Sequence, residues 1–204
     1  MLKKAKGLIV VISAPAGAGK TTLCKRLLQS SPSFINSVSF TTRPARKQEI
    51  EGVDYYFISR QYFQKLIEEN SFVEWAEVHG HLYGTSKQFL KKNIEAGKDV
   101  VLEVDVKGGR KIKEKYSQAI TIFILPPSWE ELKKRLHKRA TENEEEVRRR
   151  LATAKEEIQH LPFYDYFLVN DNINAAVKNL LLIIEAQRYK ISRVPKCSID
   201  EVIS

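Results

Sequence analysis

A short glycine-rich segment near the start of the chain has the residue types and spacing of a phosphate-binding loop. It reads APAGAGKT and fits the pattern G-x-x-x-x-G-K-[ST] at every fixed position except the first, where Ala14 replaces glycine. Glycines let consecutive backbone N–H groups turn toward a phosphate, Lys20 can reach outer phosphates, and the Thr21 hydroxyl can ligate Mg²⁺. The alternative is a structural strand-to-helix turn with a chance lysine. The predicted nucleotide-binding residues are Ala14, Pro15, Ala16, Gly17, Ala18, Gly19, Lys20, Thr21 and Thr22.

Two carboxylates, Glu103 and Asp105, end a strand predicted over 99–105. Residues two apart in a strand point to the same face, and open parallel sheets bind ligands beyond the carboxyl ends of their strands. We therefore expect Glu103 or Asp105 to help Thr21 hold a metal ion, or to contact the substrate. The alternative is that both carboxylates are solvated, because aspartate often begins a turn.

A second motif joins hydroxyl groups to two arginines. The segment SFTTRPAR contains Arg43 and Arg46, and GVDYYF follows it with Tyr55. Two guanidinium groups beside a phenol suit the recognition of a phosphate monoester. A surface loop with two solvated arginines is the alternative explanation.

The composition bounds the class of protein. A chain of 204 residues, 43% apolar and 29% charged, suffices for one core domain with appended lobes. Its longest apolar runs fall far short of the roughly 20 residues that cross a bilayer. The net charge of +9 favours an anionic partner, with nucleic acid, acidic lipid and nucleotide all open. Two distant cysteines and the absence of a signal-peptide pattern predict a cytoplasmic protein.

The elements that must position these residues alternate along the chain. A β-branched run over 7–12 predicts a buried strand, and helical spacing follows over 21–29. Further strands are predicted over 99–105, 119–125 and 166–170, each followed by a helical segment. This alternation predicts an α/β fold with a parallel sheet and helices on both of its faces.

Two segments depart from that alternation. Between 38 and 84 the pattern changes to short aromatic strands around one helix predicted over 60–69, which indicates an inserted lobe. The segment 138–150 is highly charged and has almost no apolar face, so it is predicted to form a helical flap above the core.

These motifs follow one another in an order that resembles the guanylate kinase family, and the resemblance extends from residue 7 to about residue 188. The motifs that carry it are SAPAGAGKTT, SFTTRPAR, GVDYYF, FVEWAEVHGHLYGT, VLEVDVKGG and LKKRLHKRATENEEEVRRRL. The resemblance implies a P-loop nucleoside monophosphate kinase fold. Its parts would be a core over 1–38, 86–137 and 151–204, a GMP-binding lobe of mixed α/β structure over 39–85, and a small helical lid over 138–150.

The resemblance also implies an activity and its residues. The reaction would be ATP + GMP = ADP + GDP, with Mg²⁺ as cofactor and dGMP as a further acceptor. The GMP phosphate would be held by Arg43, Arg46, Tyr55 and Tyr83, and the guanine by Ser39, Glu74 and Asp105. Thr85, which stands where a serine is often found, would also bind GMP. The catalytic cations would be Lys20, Arg43, Arg139 and Arg150.

Residue chemistry agrees with guanine as the base. A carboxylate such as Glu74 can accept both N1–H and N2–H of guanine, whereas adenine presents an acceptor at N1. The expected partners are therefore the small molecules GMP and ATP, neither nucleic acid nor membrane, and the chain is expected to be a monomer or a homodimer.

Two other classes of function stay open. One is a noncatalytic interaction module that reuses the guanylate kinase fold, and the other is a basic nucleic-acid-binding protein. The presence of Lys20, Thr21, Arg139 and Arg150 favours catalysis over the first. The sequence contains no recognisable RNA- or DNA-binding module, which argues against the second.

Overall fold

The computed structural model describes residues 6–78, 80–138 and 144–193. A five-stranded sheet with the order β2-β7-β1-β8-β9 forms the centre, and its neighbouring strands are all parallel. The strands are β1 (Ile9–Ser13), β2 (Phe34–Asn36), β7 (Asp99–Glu103), β8 (Ile120–Leu125) and β9 (Tyr166–Val169). The predicted parallel sheet is confirmed.

Helices cover both faces of this sheet because alternate residues of each central strand point to opposite sides. On one face Val10 and Ile12 belong to a buried cluster with residues of α1 (Lys20–Ser30) and α7 (Ile173–Arg188). On the other face Val11 packs in a cluster with residues of α3 (Lys87–Glu95) and α4 (Val106–Lys115). The sheet therefore has an apolar interface with helices on each of its two faces. This is the predicted arrangement, and it follows from the β-branched run of β1, whose side chains are buried on both faces.

The segment between β2 and α3 forms a second sheet with its own core. Its order is β4-β3-β6-β5, with β3 parallel to β4 and antiparallel to β6. Phe63, Phe72 and Leu82 are buried together beneath it. The elements are β3 (Ser39–Thr41), β4 (Tyr55–Phe57), α2 (Arg60–Glu68), β5 (Phe72–Val78) and β6 (His81–Ser86).

Helices α5 (Trp129–Lys138) and α6 (Glu144–Ile158) pack against each other beside the phosphate-binding loop. Val147 and Ala154 of α6 are buried in a cluster with Leu132 and Leu136 of α5. Among the described residues of the predicted flap, 138 and 144–150, Val147 is the buried apolar side chain, and Ala154 lies beyond the flap on the same side of α6. Arg139 lies outside the described residues.

Two details of the main sheet differ from expectation. Strand β7 ends at Glu103, because Asp105 instead caps α4: its carboxylate accepts the N–H of Gly108 at 2.7 Å. The predicted strand over 99–105 is thus two residues too long. Strand β2 was not predicted, since three residues are too few to display a period.

One ion pair ties the base of the sheet to α7. Asp99 is fully buried, accepts the N–H of Leu8 at 2.8 Å and pairs with Arg188. We predict that Asp99→Ala lowers the free energy of unfolding by about 3 kcal/mol, because it leaves the buried N–H of Leu8 without its acceptor and Arg188 without its buried partner. Glu185→Ala, which removes only the exposed partner of Arg188, should lower it by at most ~0.5 kcal/mol. Urea unfolding measures both, and equal losses would contradict the prediction.

Candidate functional site

The phosphate-binding loop lies between the end of β1 and the start of α1, as predicted. Gly17 and Gly19 have φ angles of 88° and 89°, which other residues rarely adopt, and a Cβ on Gly19 would lie 2.4 Å from Nδ2 of Asn170. Gly19 is also the N-cap of α1 and provides no side-chain hydrogen bond, so the first-turn N–H groups remain available to a ligand. Ala14 does not have a positive φ, so this position does not need the glycine of the motif.

The buried Asn170 anchors the loop from the other side. Its Nδ2 donates to the carbonyl of Ala18 at 2.8 Å, and the N–H of Ala18 donates to the carbonyl of Pro15 at 3.1 Å. Ala18 is fully buried, so its methyl group faces the core. Sequence reasoning missed Asn170, which it treated only as the end of a strand.

A cavity of about 210 Å³ lies over the loop. The Nζ of Lys20 donates to the carbonyl of Val104 at 3.1 Å and lies 4.0 Å from Oε1 of Glu103. The hydroxyl of Thr21 donates to the same carboxylate at 2.6 Å. Thr21 and Glu103 therefore lie together, as a shared metal site would require. The lining residues are Ala14, Pro15, Ala16, Gly17, Gly19, Lys20, Thr21, Asp105 and Glu157.

A larger cavity of about 960 Å³ separates the core from the inserted lobe. Thr21 lines both cavities, so the two lie next to each other at the start of α1. Arg46 reaches the larger cavity from the lobe, and Arg150 reaches it from α6. Of the predicted residues, Ser39, Arg46, Tyr55, Glu103 and Arg150 line it, whereas Arg43, Glu74, Tyr83 and Thr85 do not.

Glu74 lies deeper, next to the core. It is buried, and the hydroxyl of Thr85 donates to its Oε1 at 2.7 Å. A Cβ on Gly108 would lie 3.0 Å from Oε2 of Glu74 and 3.0 Å from Oδ1 of Asp105, so the two carboxylates converge on this glycine. Burial raises the pKa of Glu74 to about 7, although the hydrogen bond from Thr85 acts in the opposite direction. Three residues predicted to bind GMP, Glu74, Thr85 and Asp105, are thus brought together.

The aromatic and cationic residues predicted for the phosphate also form one group. The rings of Tyr55 and Tyr83 meet edge to face with centroids 5.9 Å apart, and Cζ of Arg43 lies 5.5 Å from the centroid of Tyr55. The guanidinium of Arg43 is paired with Glu49 at 2.8 Å. Sequence reasoning did not identify Glu49, although it stands only six residues from Arg43.

Glu157 of α6 is a second acidic residue that sequence reasoning missed. It lines the loop cavity, and its Oε2 is buried without a hydrogen-bond partner among the described residues. Burial raises the pKa of Glu157 to about 7, with Asp105 acting in the same direction and Lys20 and the N–H of Ala16 in the other.

The central sheet is parallel, and a phosphate-binding loop follows its first strand. A second lobe lies across a cleft that Arg46 and Arg150 line. This combination defines a P-loop nucleotide kinase. A family model described as Guanylate kinase matches residues 6–187. The chain belongs to the guanylate kinase family, enzymes that phosphorylate GMP with ATP.

Individual relatives agree with this assignment. A curated guanylate kinase from Caldanaerobacter subterraneus subsp. tengcongensis is 46% identical over 190 residues, covering 93% of this chain and 92% of the relative. The crystal structure of guanylate kinase from Anaplasma phagocytophilum aligns with a TM-score of 0.79 at 36% identity, over 95% of this chain and 92% of that one. The SH3-kinase fragment of tight junction protein 3, at 14% identity and a TM-score of 0.51, shares the fold alone; the alignment covers 93% of this chain and 61% of that fragment.

The raised pKa of Glu157 has a measurable consequence for stability. An unfolded glutamate titrates near 4.5, so the folded protein holds more protons between about pH 4.5 and pH 7, and stability falls as pH rises through this window. We predict that Glu157→Gln removes on the order of 1 kcal/mol of this fall, because solvent screens part of the effect. The free energy of unfolding from pH 5 to 8 measures it. Glu145→Gln, exposed on the same helix, should keep the wild-type slope, and a slope unchanged in Glu157→Gln would contradict the prediction.

Proposed function

We propose that this chain transfers the γ-phosphoryl group of ATP directly to the 5′-phosphate of GMP, in line and with Mg²⁺, and that dGMP is also an acceptor. The observation that carries the proposal is that the two cavities lie next to each other and share Thr21. A triphosphate on the loop would point its outer phosphate toward the cavity that Arg46 and Arg150 line.

The donor site would consist of the loop and the start of α1. The backbone N–H groups of the first turn of α1, which follows Gly19, would bind phosphate oxygens, and Lys20 would exchange its hydrogen bond to Val104 for one to the outer phosphates. Ala14 does not have a positive φ angle, so its backbone conformation does not require glycine.

Thr21 and Glu103 would hold the metal ion. Mg²⁺ prefers oxygen ligands and keeps several waters, and the hydroxyl and carboxylate that share a 2.6 Å hydrogen bond are oxygen donors of this kind. Asp105 fits the role less well, because its carboxylate already caps α4. When bound, Mg²⁺ would neutralise phosphate charge.

The acceptor phosphate would bind between Arg46 and the group formed by Arg43, Tyr55 and Tyr83. A phosphate monoester has a second pKa of about 6, so at neutral pH it is mostly a dianion and needs no general base. Charge repulsion is the larger obstacle, since two unit charges 4 Å apart repel by about 4 kcal/mol at an effective dielectric of 20. Lys20 and the site arginines would offset it, and arginines in related reactions contribute roughly 10³ to 10⁵ in rate.

The guanine would bind over the carboxylates that converge on Gly108. Glu74 would accept N1–H and N2–H, with Ser39, Thr85 and Asp105 beside it. These hydrogen bonds favour the charged carboxylate, so GMP binding would lower the pKa of Glu74 from its raised value.

Closure would complete the site. The lobe over 39–85 and the lid over 138–150 would approach the core of 1–38, 86–137 and 151–204 when both nucleotides are bound, which excludes water from the phosphoryl group. Arg150 would then reach the phosphates from α6, together with Arg139.

The setting of the enzyme is also part of the proposal. We expect a cytoplasmic monomer or homodimer in purine nucleotide metabolism that acts only on small molecules. In the described part of the chain, no helix is long and apolar enough to cross a membrane.

A panel of nucleoside monophosphates with ATP, in the presence and absence of Mg²⁺, tests the reaction and its specificity together. We expect GMP and dGMP to be phosphorylated in preference to AMP, CMP and UMP, and only with the metal. Glu74→Gln should reduce the ratio of kcat/KM for GMP over AMP on the order of 10²-fold, because a neutral amide no longer accepts two hydrogen bonds. An unchanged ratio would remove Glu74 from base recognition, and no product from any acceptor would favour a noncatalytic module.

The loop lysine is tested separately. We predict that Lys20→Ala lowers kcat on the order of 10³-fold, because it removes a positive charge from the outer phosphates, while the thermal unfolding midpoint stays near that of the wild type. Arg26→Ala, exposed on the same helix, is the matched control and should retain wild-type turnover. A Lys20→Ala variant with wild-type kcat would exclude the loop from the mechanism.

A further inference from the structure

Glu49 stands at the centre of a hydrogen-bonded group in the inserted lobe. Nη2 of Arg43 donates to both of its carboxylate oxygens, at 2.8 and 3.0 Å, and the backbone N–H of Arg46 donates to Oε2 at 2.8 Å. Both side chains of the ion pair are mostly buried, with exposures of 13% for Arg43 and 16% for Glu49. Hydrogen bonds from Arg43 lower the pKa of Glu49, so the carboxylate stays charged at neutral pH.

Two further donors of Arg43 are also used within the lobe. Nε donates to the hydroxyl of Tyr83 at 3.2 Å, and Nη1 donates to the carbonyl of Pro44 at 2.8 Å. A guanidinium has five N–H donors in one plane, so acceptors on three sides fix both its position and its orientation. Arg43 does not line the large cavity, whereas Glu49 and Arg46 do.

This arrangement determines what the hydroxyl of Tyr83 can do. Because the hydroxyl oxygen accepts from the charged guanidinium, its own proton must point to a different acceptor, and the charged donor strengthens that second hydrogen bond. Tyr55, whose ring lies against Tyr83, lines the large cavity where the acceptor phosphate is proposed to bind.

The backbone contact acts on the second arginine. The N–H of Glu49 donates to the carbonyl of Arg46 at 3.0 Å, which closes a turn, and the Glu49 carboxylate accepts the N–H of Arg46 across the same turn. Glu49 therefore holds the backbone of Arg46 in place while the side chain of Arg46 lines the cavity.

We propose that Glu49 is a positioning residue for the acceptor phosphate: it fixes Arg43, directs the hydroxyl proton of Tyr83 toward the phosphate and holds the backbone of Arg46. The inference rests on the proposed function, since it assigns a role within the proposed GMP site. It predicts that Glu49 matters for the phosphate of GMP and not for the guanine or for ATP.

The experiment compares the ligand with and without its phosphate. In Glu49→Gln, GMP affinity by titration calorimetry should fall about tenfold, equal to about 1.4 kcal/mol, while guanosine affinity and the KM for ATP stay within about twofold. The matched control is Glu77→Gln, which breaks the exposed Arg60–Glu77 ion pair of the same lobe and should change none of these values. Because part of the effect passes through Arg43, Glu49→Gln should cost less GMP affinity in an Arg43→Met background than in the wild type, and the loss that remains is the part that acts through the backbone of Arg46.

Equal loss of GMP and guanosine affinity in Glu49→Gln would overturn the proposal, because it would indicate general damage to the lobe. Wild-type affinity of Glu49→Gln for both ligands would also overturn it. If Glu49→Gln does not fold, Glu49→Asp, which keeps the charge but shortens its reach, should give a smaller loss confined to GMP. A wild-type enzyme that does not phosphorylate GMP would instead refute the proposed function, which the wild-type assay detects without any variant.

Discussion

Mutual repulsion between two phosphorylated nucleotides is the constraint on which the rest of this structure depends. A transferring phosphoryl group and its acceptor must approach within a few ångströms, although both are anions. In the proposed mechanism, charges on separate elements would meet this requirement: Lys20 at the start of α1, Arg46 in the inserted lobe and Arg150 on α6. Carboxylates lie beside two of these cations, since Glu103 is 4.0 Å from Lys20 and Glu146 pairs with Arg150 at 3.1 Å.

Parallel topology brings these groups to one edge. The phosphate-binding loop follows β1, Glu103 ends β7, and Asn170, which anchors the loop, follows β9. Since parallel strands end at the same side of the sheet, residues far apart in the chain meet there without any long connection. The same topology explains why Asp105, two residues beyond Glu103, can both cap α4 and face Glu74.

The features that sequence could predict are those encoded by neighbouring residues. The loop needs glycine at positions 17 and 19, and the β-branched run of β1 needs burial on both faces, so both were recognisable locally. Asn170 contacts Ala18 across 152 residues, and no local pattern indicates such a contact. Glu49 and Glu157 were missed because each reads as one more charged residue in a charged segment. The end of β7 was misplaced because a helix-capping aspartate and a strand-ending aspartate look alike in a sequence.

The acidic residues of the site differ in how they carry charge, and this difference follows from their surroundings. Arg43 lowers the pKa of Glu49 by hydrogen bonding, so that carboxylate is a permanent counter-ion. Burial raises the pKa of Glu74 and of Glu157 to about 7, so near neutral pH each is charged only part of the time. Burial thereby limits the negative charge that Glu74 and Glu157 add to the site, whereas the charge of Glu49 is balanced by Arg43. In the proposed complex, guanine would donate two hydrogen bonds to Glu74 and so favour its charged form only once it is bound.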